Sequence, residues 1–114
     1  MPEEITRQEY EFVHRVLSGY PDVRYEFSRE AERFCCALWR KSLGDLRISI
    51  LRHLKENRPV FRKRVNHVVL GRQFFQANVE LWKGMDVYVE LSFDCRAFVR
   101  INAHPHRGFP VLER

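Results

Sequence analysis

The chain predicts an α+β fold in two layers, with N-terminal amphipathic helices on one face of a three- to four-stranded antiparallel meander. Two patterns carry that expectation. Between 74 and 103, apolar residues recur at every second position in three runs: Phe75, Ala77, Val79 and Leu81; Val87, Val89, Leu91 and Phe93; Ala97, Val99, Ile101 and Ala103. Period two marks strands with one buried face. Earlier in the chain the spacing is helical instead.

A single domain spanning 1–114 accommodates the length, and 45% hydrophobic with 13% aromatic residues is globular composition. Such a chain buries roughly two-thirds of its unfolded surface without metal or disulfide support.

Ile5, Phe12, Val13, Val16 and Leu17 predict a first helix over 2–18, closed by Gly19 and Pro21. Val23, Tyr25 and Phe27 alternate, which adds a possible short strand near 23–27. Ser28 can cap a second helix whose stripe is Ala31, Phe34, Cys35 and Leu38, with Trp39 at its margin. Gly44 ends or kinks it. Asp45 is placed to cap a third helix, in which Leu46, Ile50, Leu51 and Leu54 face inward until 57–59 stops it. Over 60–70 both helix and strand fit, and the β-branched residues tip the balance to a strand over 66–70. The expected core contains Phe12, Val16, Phe34, Leu38, Ile50, Leu54, Val79, Leu81, Val89, Leu91, Val99 and Ile101.

Short links, Lys83-Gly84-Met85 and Asp94-Cys95-Arg96, favour hairpins over crossovers. Three-residue loops set Leu81 opposite Val87, Val79 opposite Val89, Phe93 opposite Ala97 and Leu91 opposite Val99, which keeps every apolar residue on one side. The other face then displays Phe74, Gln76, Asn78, Glu80, Trp82, Tyr88, Glu90, Ser92, Phe98, Arg100 and Asn102. Glu90 and Arg100 become an ordinary cross-strand ion pair. After Ala103 two prolines and a glycine predict an irregular tail.

The net charge is +5, unevenly spread. Residues 1–32 hold four basic and eight acidic side chains, a balance of −4; residues 33–114 hold sixteen and seven, a balance of +9. No acid occurs over 58–78, where Arg58, Arg62, Lys63, Arg64 and Arg72 fall. Such a run attracts phosphates, so the leading expectation is a small, non-enzymatic module binding RNA or another polyanion through these residues and Arg100. A solvated basic face explains the run equally well. Phe74, Trp82, Tyr88 and Phe98 are candidate base-stacking residues on the outer face. Glu80 and Glu90 on that face would repel a nucleic-acid backbone, and a covering layer or second subunit would also explain the aromatics.

Catalysis has no assigned residues, since Glu80, Glu90, Tyr88 and the C-terminal histidines are the only clustered acids and bases. His104 and His106 alone do not make a metal site, and no cofactor is implied. Cys35 and Cys36 read as buried small hydrophobes in a helix; Cys95, in a turn beside Arg96, reads as a bystander. An apolar run long enough for a bilayer is absent and the first residues lack signal-peptide order, which points to a cytoplasmic protein without a membrane partner.

The element order over 23–103, a short strand, two helices and a meander, resembles RelE/ParE-type toxins, small basic proteins some of which cleave ribosome-bound messenger RNA. That resemblance implies action on RNA, with Arg100, His104, His106 and Arg107 standing where such proteins carry basic and polar side chains. The chain departs from the pattern in its added N-terminal helix and in Val87-Tyr88-Val89-Glu90, where those toxins often place an arginine. A further alternative needs no nucleic acid: the acidic N-terminal segment and basic remainder are complementary, which suits self-association, docking on another protein, or contact within one fold.

Overall fold

The computed structural model describes residues 3–18, 24–63, 72–94 and 98–105, with Arg72, Asp94 and Phe98 described by their backbone alone. In chain order the elements are β1 (Glu3–Glu4), α1 (Arg7–Leu17), β2 (Arg24–Phe27), α2 (Arg29–Arg33), α3 (Leu43–Lys55), β3 (Phe61–Arg62), β4 (Arg72–Trp82), β5 (Met85–Asp94) and β6 (Phe98–Pro105). A π-helical turn, Phe34–Trp39, continues α2. The α+β class stands, but the sheet is larger than a meander. Six strands lie in the order β1-β3-β4-β5-β6-β2, and β2 runs parallel to β6 while the other pairs are antiparallel. Parallel pairing arises because the chain crosses over through the helices between β2 and the meander, a connection that local alternation does not encode.

The three helices start at side-chain caps. Thr6 and Ser42 each accept from the backbone N–H three residues on, where Glu9 and Asp45 reach back to the cap N–H, while Ser28 accepts from the Ala31 N–H. Two boundaries therefore move. The first helix begins after Thr6, leaving Glu3–Glu4 free to pair with β3, and Ser42, not Asp45, caps the third, with Gly44 inside its first turn.

The π turn changes which side chains reach the core. Its wider turn delays the return to the inner face by one residue. Trp39, at 3% exposure, is buried there, and Leu38, at 57%, faces out. Arg40 ends the turn with φ 53°, and the Lys41 N–H donates to the Cys35 carbonyl. Phe12 is also exposed, its ring lying 5.6 Å from that of Phe93 at the rim of the core, Phe34 is only half-buried, and Cys36, expected to be buried beside Cys35, is exposed.

Valines, leucines and aromatics of β4, β5 and β6 join Val13, Val16 and Leu17 of α1, Ala31 and Cys35, and Leu46, Ile50 and Leu54 of α3 in one cluster. Both hairpins differ from the expected register. Trp82 pairs with Met85 around a two-residue turn, Lys83-Gly84, and an irregularity at Leu81 sets Val79 opposite Val87. Phe93 pairs with Val99 and Leu91 with Ile101. Each is a two-residue slide, which preserves the faces. Ala97 and the strand expected over 66–70 lie outside the described residues.

Candidate functional site

One face of the sheet carries the helices; the opposite face carries a row from each pair of positions along the strands. Observed pairings place Asn78, Tyr88 and His104 in one row, Gln76, Glu90 and Asn102 in the next, and Phe74, Ser92, Arg100 and Glu26 in a third. The slide in β6 thus puts Arg100 beside Ser92 and moves His104 onto the sheet. Arg100 Nε lies 3.9 Å from Glu26 Oε1, so the Glu90–Arg100 pair expected from the sequence does not form.

Glu90 instead meets Lys63, whose Nζ is 2.7 Å from Oε1, and His104, whose Nε2 is 3.7 Å away. His104 Nε2 also lies 4.0 Å from Glu30 Oε1 at the start of α2. Its ring stacks on Tyr88 with centroids 4.7 Å apart. The Tyr88 hydroxyl donates to Gln76 Oε1 at 2.7 Å, and Phe61 is buried with Tyr88 in a small second cluster. Burial, reinforced by the charge of Glu90, pushes the Tyr88 phenol well above its ordinary range. This half of the face is closed and polar.

The other half is open. Ser28, Phe74, Glu90, Ser92, Arg100 and Asn102 line a concavity of about 220 Å³. Ser28 sits there because its backbone N–H donates to the Ile101 carbonyl at the end of β2, and its hydroxyl, besides capping α2, bonds Asn102 Oδ1 at 2.5 Å. A half-buried aromatic therefore faces an exposed guanidinium across a polar floor. That combination holds a flat ring and an anionic group together.

The basic stretch is largely engaged elsewhere. Arg62 Nη2 is 2.5 Å from Glu9 Oε1 and its Nε is 4.0 Å from Glu3 Oε1, which lays the acidic N-terminal segment on β3. Burial pushes the Glu9 carboxyl up, but the Thr6 N–H and the Arg62 guanidinium outweigh it and hold the carboxyl below its ordinary value. Arg58 pairs with Glu56 at 3.6 Å, and its carbonyl accepts from the Tyr10 hydroxyl. Arg64 and His106 lie outside the described residues, as do the side chains of Arg72 and Phe98. Trp82, expected on the outer face, packs against the helix-side core, with Lys41 Nζ 5.6 Å from its ring, because the irregularity at Leu81 reverses its side.

Of the sequence-derived residues, Phe74 and Arg100 meet at the concavity, and Lys63 and Tyr88 at the closed half. Ser28, Ser92, Asn102 and His104 complete the face; of these, Ser92 and Asn102 were legible from alternation. Among the described residues no group of three or more His, Cys, Asp or Glu side chains could hold a metal ion, and no helix is long and apolar enough to cross a membrane. Comparison with protein-family models, curated proteins and solved structures returns no match.

Proposed function

We propose that the chain is a binding module for single-stranded RNA, with the open half of the sheet face as its contact surface. The observation that carries this reading is the concavity in which Phe74 and Arg100 stand on opposite sides of a polar floor. Phe74 stacks a base, a contact worth roughly 1–3 kcal/mol. Arg100 belongs to a loose, exposed ion pair at 3.9 Å, and such pairs cost about 0–1 kcal/mol to exchange for a phosphate. Strands lie about 4.8 Å apart, so side chains on β4 and β6 are separated by roughly 10 Å, the span of a nucleotide. Duplexes do not fit this arrangement, because their base faces are covered.

In this reading Arg62 and Lys63 support the fold and the long-range field, while Phe74 and Arg100 make the contact. Binding of labelled single-stranded and duplex RNA across a salt series tests it. Single strands bind, affinity falls with salt, and Phe74→Ala and Arg100→Ala each weaken it. Failure to bind at low salt overturns the proposal, and a loss confined to Arg62→Ala/Lys63→Ala moves the contact to the basic stretch.

Protein docking is the second reading, favoured by Leu38 and Ile48, exposed at 57% and 59% on the helical layer. A mass that rises with concentration and returns to monomer in Leu38→Glu or Ile48→Glu supports it.

A further inference from the structure

We infer that the concavity selects guanine among the bases; this rests on the RNA-binding reading above and deepens it. The floor beside Phe74 presents the Glu90 carboxylate, together with Asn102 opposite it on β6. A carboxylate only accepts hydrogen bonds, at about four lone-pair positions. Among the described residues Lys63 Nζ and His104 Nε2 both approach Glu90 most closely at Oε1. The His104 contact, at 3.7 Å, is longer than a hydrogen bond, so these contacts take up about one of the four lone-pair positions.

Single-stranded bases are read on their Watson–Crick edges. Guanine is the base whose edge carries two adjacent donors, N1–H and the N2 amino group, which match a carboxylate side by side. Adenine and cytosine each pair one amino donor with a ring-nitrogen acceptor, and uracil sets one N–H between two carbonyls. Any of these brings a lone pair against Glu90. The same carboxylate that repels a phosphate backbone therefore suits this base edge, while Arg100, one row along the strands, takes the phosphate. Asn102, held by the Ser28 hydroxyl, keeps an amide beside the edge for the O6 carbonyl. The 2.7 Å contact from Lys63 holds the Glu90 side chain in place, so the selective group is positioned before the ligand arrives.

Fluorescence anisotropy with labelled uridine heptamers carrying one central guanosine, adenosine, cytidine or uridine tests this, because an isolated guanosine cannot form quadruplexes. The guanosine heptamer binds about tenfold or more tighter than the others. Glu90→Gln, with its fold checked by thermal melting, loses most of that preference. Equal binding of all four heptamers, with Phe74→Ala weakening each, overturns guanine selection and leaves RNA binding standing. Preference that persists in Glu90→Gln overturns the assignment to Glu90. Absence of binding to any heptamer overturns both readings. Should Glu90→Gln fail to fold, the wild-type series alone decides between selection and none.

Discussion

Lys63 Nζ reaches over β4 to Glu90 Oε1 at 2.7 Å, joining the acid-free stretch to the centre of the sheet. The side chains are 30% and 23% exposed, between a surface pair and a buried one. Lys63→Ala is expected to cost roughly 1–2 kcal/mol in urea unfolding, with less salt dependence than an exposed pair shows. A double-mutant cycle with Glu90→Ala returns a coupling of about 1 kcal/mol. A coupling near zero would make this pair an ornament of the face.

The π turn sets opposite expectations for two adjacent residues. Trp39→Ala removes a buried indole at 3% exposure, and is expected to cost about 3–5 kcal/mol. Leu38→Ala, at 57% exposure, stays within about 0.5 kcal/mol of the parent. Chemical denaturation of both variants checks the pair, and the reverse ranking would contradict the turn.

These two positions also mark how far a sequence can be read. Alternation over 74–103 identified which of the described side chains share each face, Trp82 beyond the irregularity at Leu81 excepted, because a period of two survives any even slide of register. It could not set the register, since turn geometry and the irregularity at Leu81 decide that. Hence Phe74, Glu90, Ser92, Arg100 and Asn102 were legible as one face, while the partner of Arg100 was not. His104 was assigned to a tail on account of Pro105. The strand nevertheless runs through that proline, because β2 pairs only as far as Ile101 and leaves the last residues of β6 with one neighbour, where a missing N–H is tolerated. Ser28 was legible as a cap but not as part of the face, which depends on the parallel pairing of β2 with β6.

His53, at 3% exposure, bonds the Pro59 carbonyl through Nε2 at 2.8 Å. Burial lowers its pKa below the ordinary 6.5, and the nearby Arg58 charge adds to this, against the Pro59 bond. The unfolded chain therefore binds the proton more readily. Stability is full above about pH 6.5 and falls with acid until the native-state pKa is passed, with a slope approaching about 1.4 kcal/mol per pH unit. His53→Leu is expected to flatten this part of a stability-versus-pH curve. A wild-type curve identical in slope to that of the variant would contradict a neutral native His53.

Gly84 closes the Lys83-Gly84 turn at φ 83° with open space where a Cβ would stand. Gly84→Ala should therefore cost about 1–2 kcal/mol through backbone strain alone. Gly84→Asn should cost less, because asparagine enters this region more readily. Thermal unfolding of the two variants orders them; equal losses would point to contact rather than conformation.

The location of the ligand surface is read most directly by amide chemical-shift changes on titrating a short, guanosine-containing single-stranded RNA into the labelled protein. The account predicts the largest changes at Phe74, Glu90, Ser92, Arg100 and Asn102, with the outward-facing residues of α1 and α3 unmoved. Changes centred on α1 and α3, or none at saturating RNA, would contradict it.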